Sequence, residues 1–169
     1  MRMWIGVIFY ICLTANAFAG DFTLKSDGFS DKGVIPDSYT CEAGNNTPAL
    51  KWTNPPAKTK SFVIIFRSLD TPLGKLYNWI VYNIPKDIKE LKAGMKTLPD
   101  GALVAQNSFN QPIYRGPCPI DSKLHRYIIM IYALDTQLQV PEGGEPEEVL
   151  EEMEGHILGK AKLRGVFSH

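Results

Sequence analysis

The sequence predicts a mainly β domain: a β-sandwich of Greek-key-type sheets with one short C-terminal helix. Three observations predict it. Residues 60–69, 77–84 and 127–135 are dense in β-branched and aromatic side chains, the composition of buried strands. Clusters of Gly, Pro and Asn break the chain between these runs. Only residues 145–154 carry convincing helical spacing. Counting the shorter alternating stretches gives about seven to nine strands, the pattern of a sandwich.

Residues 1–19 stand apart from the fold. Arg2 is their only charge, residues 4–13 are an apolar run that includes Cys12, and Ala17-Phe18-Ala19 is a signal-peptidase type site. A secretory signal peptide is expected, cleaved near Ala19, with export to the periplasm or the medium. The run is short for a membrane span, and no later run is long enough to be one. Residues 20–169 then form a single domain, large enough for its own core.

In the mature chain, residues 21–26 alternate as a first strand. Residues 34–41 read as an irregular edge strand, because Pro36 lacks a ladder donor. Turn residues fill 42–48, and 49–52 form a short strand. The runs at 60–69 and 77–84 are expected to be buried on both faces, with a turn around Pro72 and Gly74 between them. Residues 86–101 are polar and irregular, and 102–107 suit a short strand. The strand at 127–135 leads to the helix, where Pro146 and the early Glu residues fit a helix start. Its six Glu residues between 145 and 154 read as a solvated face. The last ten or so residues alternate as a closing strand.

Charge limits the partners. Removing Arg2 leaves 17 basic against 18 acidic residues, so no basic excess points to nucleic acid. Three His and three Cys are scattered singly, without CxxC, so neither a metal nor a cofactor is expected. In an oxidising compartment Cys41 and Cys118 are expected to form a disulfide; the alternative is a reactive thiol at Cys118.

Candidate functional residues gather at loops. Asp70 and Asn78 flank one turn between two strong strands, which places polar groups near one end of a sheet. Gly116-Pro117-Cys118-Pro119 is a rigid loop, and His125-Arg126 opens the strand that follows it. A His and an Arg at a strand mouth can hold an anion or move a proton.

The order of motifs resembles one family. Thr47-Pro48-Ala49-Leu50-Lys51-Trp52 resembles its SPxLxW element, and Lys58-Thr59-Lys60-Ser61-Phe62 its GTKSF. Ser68 to Pro72 stands at its DPDxP, and Tyr77-Asn78-Trp79 with Asn83-Ile84-Pro85 at its WHWxVxNIP. Gly116-Pro117-Cys118-Pro119, Leu124-His125-Arg126-Tyr127 and Gly155-His156-Ile157-Leu158 are similar to its GPxPP, GxHRY and GHVLA. This is the phosphatidylethanolamine-binding protein (PEBP) family, in its bacterial Raf-kinase-inhibitor-like branch.

The resemblance implies a PEBP-like β-sandwich with a small pocket at one end, taking phosphate-like or carboxylate anions or a phospholipid head group. It assigns the pocket to Ser68, Asp70, Pro72, Asn78, Gly116, Pro117, His125 and Arg126. Ser68 replaces an Asp of the family pattern, Asn78 replaces its His, and Ile120 replaces the final Pro of GPxPP. Two ionisable groups are thereby lost. The function expected is binding without catalysis, with regulation or inhibition of a kinase or protease partner as its protein-directed form and a homodimer as an open assembly state. The alternatives are an interaction protein with a vestigial pocket, and a hydrolase using His125 oriented by Asp70, or Cys118 as nucleophile. No GxSxG or HExxH supports the last.

Overall fold

The structure is a computed structural model that describes residues 20–71 and 74–169; residues 1–19, on which the expected signal peptide falls, and Pro72 and Leu73 lie outside the described residues. Among the described residues nine strands and one α-helix follow in order: β1 (Thr23–Lys25), β2 (Gly33–Val34), β3 (Leu50–Thr53), β4 (Ser61–Ser68), β5 (Leu76–Pro85), β6 (Glu90–Leu91), β7 (Leu103–Val104), β8 (His125–Leu134), α1 (Pro146–Met153) and β9 (Ile157–Phe167). They make a three-stranded sheet, β1-β3-β6, and a six-stranded sheet, β2-β9-β8-β4-β5-β7. The mainly β class with one short helix is confirmed.

The small sheet covers one face of the large one. Leu24, Leu50, Trp52 and Leu91 pack with Phe62, Ile64, Phe66, Trp79 and Ile129 in one core. Trp52 and Phe62 meet edge to face at 5.4 Å, the arrangement that aromatic quadrupoles favour. The opposite face of the large sheet packs Val63, Ile65, Ile80 and Tyr82 against Val149 and Met153 of α1 and against Leu138 and Val140. Strand β4 is therefore buried on both faces, as its unbroken apolar run requires. β8 differs from expectation: Tyr127, Ile129, Ile131 and Ala133 are buried, whereas Ile128, Met130 and Tyr132 on its other face are half-buried.

Two bulges set the course of β5. Phe62 pairs with Ile84 and Ile64 with Val81, then Phe66 pairs with Trp79 and Arg67 with Tyr77. The extra residues are Asn83 and Asn78. Each bulge resets the inward–outward alternation. Tyr77 and Trp79, two apart, thus enter opposite cores. Asn83 sits at φ 55°, a left-handed conformation that Asn tolerates. Its side chain exchanges two hydrogen bonds with the Leu138 backbone, at 2.8 and 2.9 Å.

Two short segments depart from the sequence reading. Residues 34–41 are not a continuous strand: β2 ends at Val34 and a 3-10 turn occupies Asp37–Tyr39. The edge position itself holds, since β2 lies at the end of the large sheet, parallel to β9. Within the irregular stretch 86–101, β6 adds two residues to the small sheet through Leu50 and Lys51.

Candidate functional site

Strand register brings the candidate residues to one end of the large sheet. Ser68, the last residue of β4, pairs with Leu76 at the start of β5 and with Tyr127 of β8. His125 and Arg126 open β8 beside it. The chain leaving β4 turns back over that end, and Leu69 N–H donates to the Arg126 carbonyl at 2.8 Å.

Asp70 is delivered to Arg126. Its Oδ2 accepts the Arg126 backbone N–H at 2.7 Å, Nε donates to both carboxylate oxygens at 3.0 Å, and Nη2 donates to Oδ1 at 2.5 Å. The guanidinium hydrogen bonds hold the Asp70 carboxyl below its ordinary pKa, with the Arg126 backbone N–H adding to this and partial burial opposing it. The Arg126 side chain stays 67% exposed despite the pairing.

His125 takes a different acid. Its Nε2 donates to Asp121 Oδ1 at 2.7 Å, not to Asp70. That bond selects the Nε2–H tautomer of the neutral ring, and no hydrogen bond to Nδ1 is found among the described residues. The His125 bond, with the Lys123 backbone N–H behind it, depresses the Asp121 pKa. Asp121 stands four residues before His125, a spacing that signals contact on a helix; here the segment is loop, so the sequence reading missed it.

Asn78 works as a clamp on the Gly116 loop. Its Nδ2 donates to the Arg115 carbonyl at 2.8 Å and to the Gly116 carbonyl at 3.4 Å, and its own carbonyl accepts the Arg115 N–H at 3.0 Å. Its Oδ1 is buried with no hydrogen-bond partner among the described residues. The loop is held from the other side as well. Gly116 N–H donates to Asn45 Oδ1 at 2.6 Å, and Cys41 N–H to the Pro117 carbonyl at 3.1 Å. Cys41 and Cys118 are joined in a disulfide, with their Cα atoms 5.4 Å apart. His169, the last residue, contacts Glu42 and the Pro119 carbonyl, one residue beyond each cysteine.

Two groups result: Asp70, Arg126 and His125 with Asp121 at the mouth of β8, and Asn78, Gly116 and Pro117 in the loop beside β5. Ser68 is buried between the strand ends. Pro72 lies outside the described residues. Besides Asp121, sequence reasoning passed over Asn45 and Tyr127. Tyr127 follows Arg126, packs on Phe66 at 6.0 Å, and has its phenol pushed up to about 12 by burial and then by the charge of Asp70. Among the described residues no cluster of three or more His, Cys, Asp or Glu could hold a metal ion.

Known proteins resemble this chain in sequence and in fold. A family profile described as phosphatidylethanolamine-binding protein matches residues 25–168. The chain belongs to the PEBP family. A relative called UPF0098 protein, from Methanothermobacter thermautotrophicus, is 42% identical over 85% of this chain and 97% of its own length. The crystal structure of a PEBP homologue from Chlamydia trachomatis superposes with a TM-score of 0.82 at 34% identity, covering 88% of this chain and 97% of that one. E. coli YbcL, described as a new member of the mammalian PEBP family, superposes with a TM-score of 0.83 at 26% identity over 89% and 99%.

The Asp–Arg motif occurs twice in this PEBP chain, and acid tests both copies. Arg164 of β9 grips Asp31 as Arg126 grips Asp70, through its backbone N–H at 2.8 Å and its guanidinium at 2.5 and 3.0 Å. The Arg164 hydrogen bond lowers the Asp31 pKa from 3.8 to about 2. A carboxyl depressed in the folded state contributes stability above its unfolded pKa and loses it as pH falls through the folded value. Stability at pH 7 is therefore expected to decline between about pH 4 and pH 2. Both pairs are solvent-accessible, so each contributes at most about 1 kcal/mol. Urea midpoints of the Asp31→Asn, Asp70→Asn double variant should be lower at pH 7 and less acid-sensitive across that window.

Proposed function

We propose that this PEBP-family protein is exported and binds, without catalysis, a small anion or a phospholipid head group at the mouth of β8. The observation that carries the reading is His125: Asp121 occupies Nε2, Nδ1 has no hydrogen-bond partner among the described residues, and the ring lies near enough to the Arg126-paired Asp70 to act on its charge. An anion at Nδ1 would accept a hydrogen bond from an N–H on that nitrogen. Asp70 and Asp121 supply two negative charges against Arg126 and His125. That balance favours a zwitterion over a bare anion, with phosphate on the His–Arg side and ammonium on the carboxylates. Phosphoethanolamine has this chemistry.

Export accords with the signal-like residues 1–19 and with the disulfide, which suits an oxidising compartment. With Cys118 bonded to Cys41, no free thiol remains there as a nucleophile. A kinase or protease partner, docked over the same rim, is the protein-directed form of this function. Asn78 favours a second reading, an interaction protein with a vestigial pocket, because its amide is committed to the loop.

Calorimetry of residues 20–169 with phosphate, acetate and phosphoethanolamine separates these readings. Phosphoethanolamine and phosphate should bind, and His125→Gln should weaken both by about tenfold or more. No heat with any of the three would leave the vestigial reading in place.

A further inference from the structure

A cleft of about 380 Å³ lies between the loops 44–47, 94–98 and 112–114, with Trp79 and Val104 completing its wall. Neither His125 nor Arg126 lines it. Its volume lies in the range of small-molecule sites. The loops are tied together before any ligand arrives: Gly94 N–H donates to the Thr47 carbonyl at 2.9 Å. Gly44 and Gly94 turn at φ 120° and 61°, where L side chains would be strained.

The lining has a distinct chemistry. Trp79 and Tyr114 are buried and meet edge to face at 5.5 Å, giving one aromatic wall. Met95, Leu98 and Ile113 add aliphatic surface, and Ile113 is 51% exposed. Thr47 and Thr97 bring hydroxyls; Thr47 Oγ1 is buried with no hydrogen-bond partner among the described residues. Asn45 serves only as wall, since its amide already bonds Gly116 and Tyr114. Among the lining residues Lys96 carries the one charge, with no carboxylate in the lining and no ion pair to Lys96 among the described residues.

We propose that this cleft is a second ligand site, which takes a small carboxylic acid with an apolar, single-ring body. The ring lies against the aromatic and aliphatic wall, where removal from water drives binding. The carboxylate meets Lys96 and the exposed Thr97 hydroxyl. A single cation suits one negative charge and repels an amine of the same shape; it is a poor match for a polyphosphate.

Benzoate, benzyl alcohol and benzylamine are matched probes for this chemistry. Each is titrated into ¹⁵N-labelled residues 20–169, with amide shifts read by NMR. Benzoate is expected to give saturable shifts at residues 94–98, 113 and 114, binding more tightly than the alcohol and far more tightly than the amine. Lys96→Glu, at an exposed position, should weaken benzoate about five- to tenfold while leaving the melting temperature unchanged. The site is overturned if benzoate produces no saturable shifts there, if the three probes bind alike, or if folded Lys96→Glu binds benzoate as before. None of these outcomes depends on the His125 site, whose own probe is phosphoethanolamine.

Discussion

Replacing Cys41 and Cys118 together by Ser is expected to lower the stability of the folded domain by about 4 kcal/mol, the chain-entropy value for a large closed loop. The bridge spans a sequence separation of 77 residues and ties the segment after the 3-10 turn to the Gly116 loop. Without it, the unfolded chain gains the freedom that the cross-link had removed. The remaining ties between these segments are single hydrogen bonds, such as Cys41 N–H to the Pro117 carbonyl and Tyr114 Oη to the Tyr39 carbonyl at 2.6 Å. Each contributes about 1 kcal/mol. Urea unfolding of the double Ser variant, against the oxidised protein, measures the loss directly. A change below about 1 kcal/mol would mean that the bridge constrains little that the fold does not already constrain.

Gly116→Ala is the second large effect. A Cβ at Gly116 would stand 2.2 Å from the Tyr39 carbonyl oxygen, 2.9 Å from Thr40 Cα and 3.0 Å from Asn45 Oδ1. Two of these atoms are backbone and cannot swing aside. The loop must move off the 3-10 segment, straining the Gly116–Asn45 hydrogen bond. A cost of about 3 kcal/mol is expected, at the upper end for overpacking. Thermal unfolding reads the stability change. Phosphoethanolamine calorimetry reads the site, where affinity should fall because the loop no longer sits against Asn78. An Ala variant as stable as the parent would show that the loop is not wedged against residues 39 and 40.

The parts of the fold legible in the sequence were those with a strong local signal. β4 and β5 are long because their runs of Val, Ile, Phe, Trp and Tyr must be buried on both faces. β6 was not legible: two residues carry no periodicity, and Glu90 and Leu91 are a strand only because Leu50 and Lys51 pair with them. The bulges were hidden for a related reason. Asn78 and Asn83 look like polar interruptions, and only the β4 register shows that they sit outside the alternation.

The site was legible as a set of residues but not as a set of partners. The motifs placed Asp70, Asn78, His125 and Arg126 at one sheet end. They did not show that Asp70 belongs to Arg126, His125 to Asp121, and Asn78 to the loop carbonyls. Those pairings depend on how a loop folds back. The hydrolase alternative cast Asp70 as the orienter of His125; the turn after β4 brings Asp70 against the Arg126 backbone N–H instead.

The most direct test is NMR of the His side chains as phosphoethanolamine is added. Among residues 20–169 the three imidazoles are His125, His156 and His169. His156 bonds Asp135 near the far end of β8 and serves as an internal control. The proposed binding function predicts saturable shifts of the His125 ring signals, with His156 unmoved and the response lost in His125→Gln. A folded protein whose His125 signals stay fixed at saturating phosphoethanolamine and phosphate would contradict it.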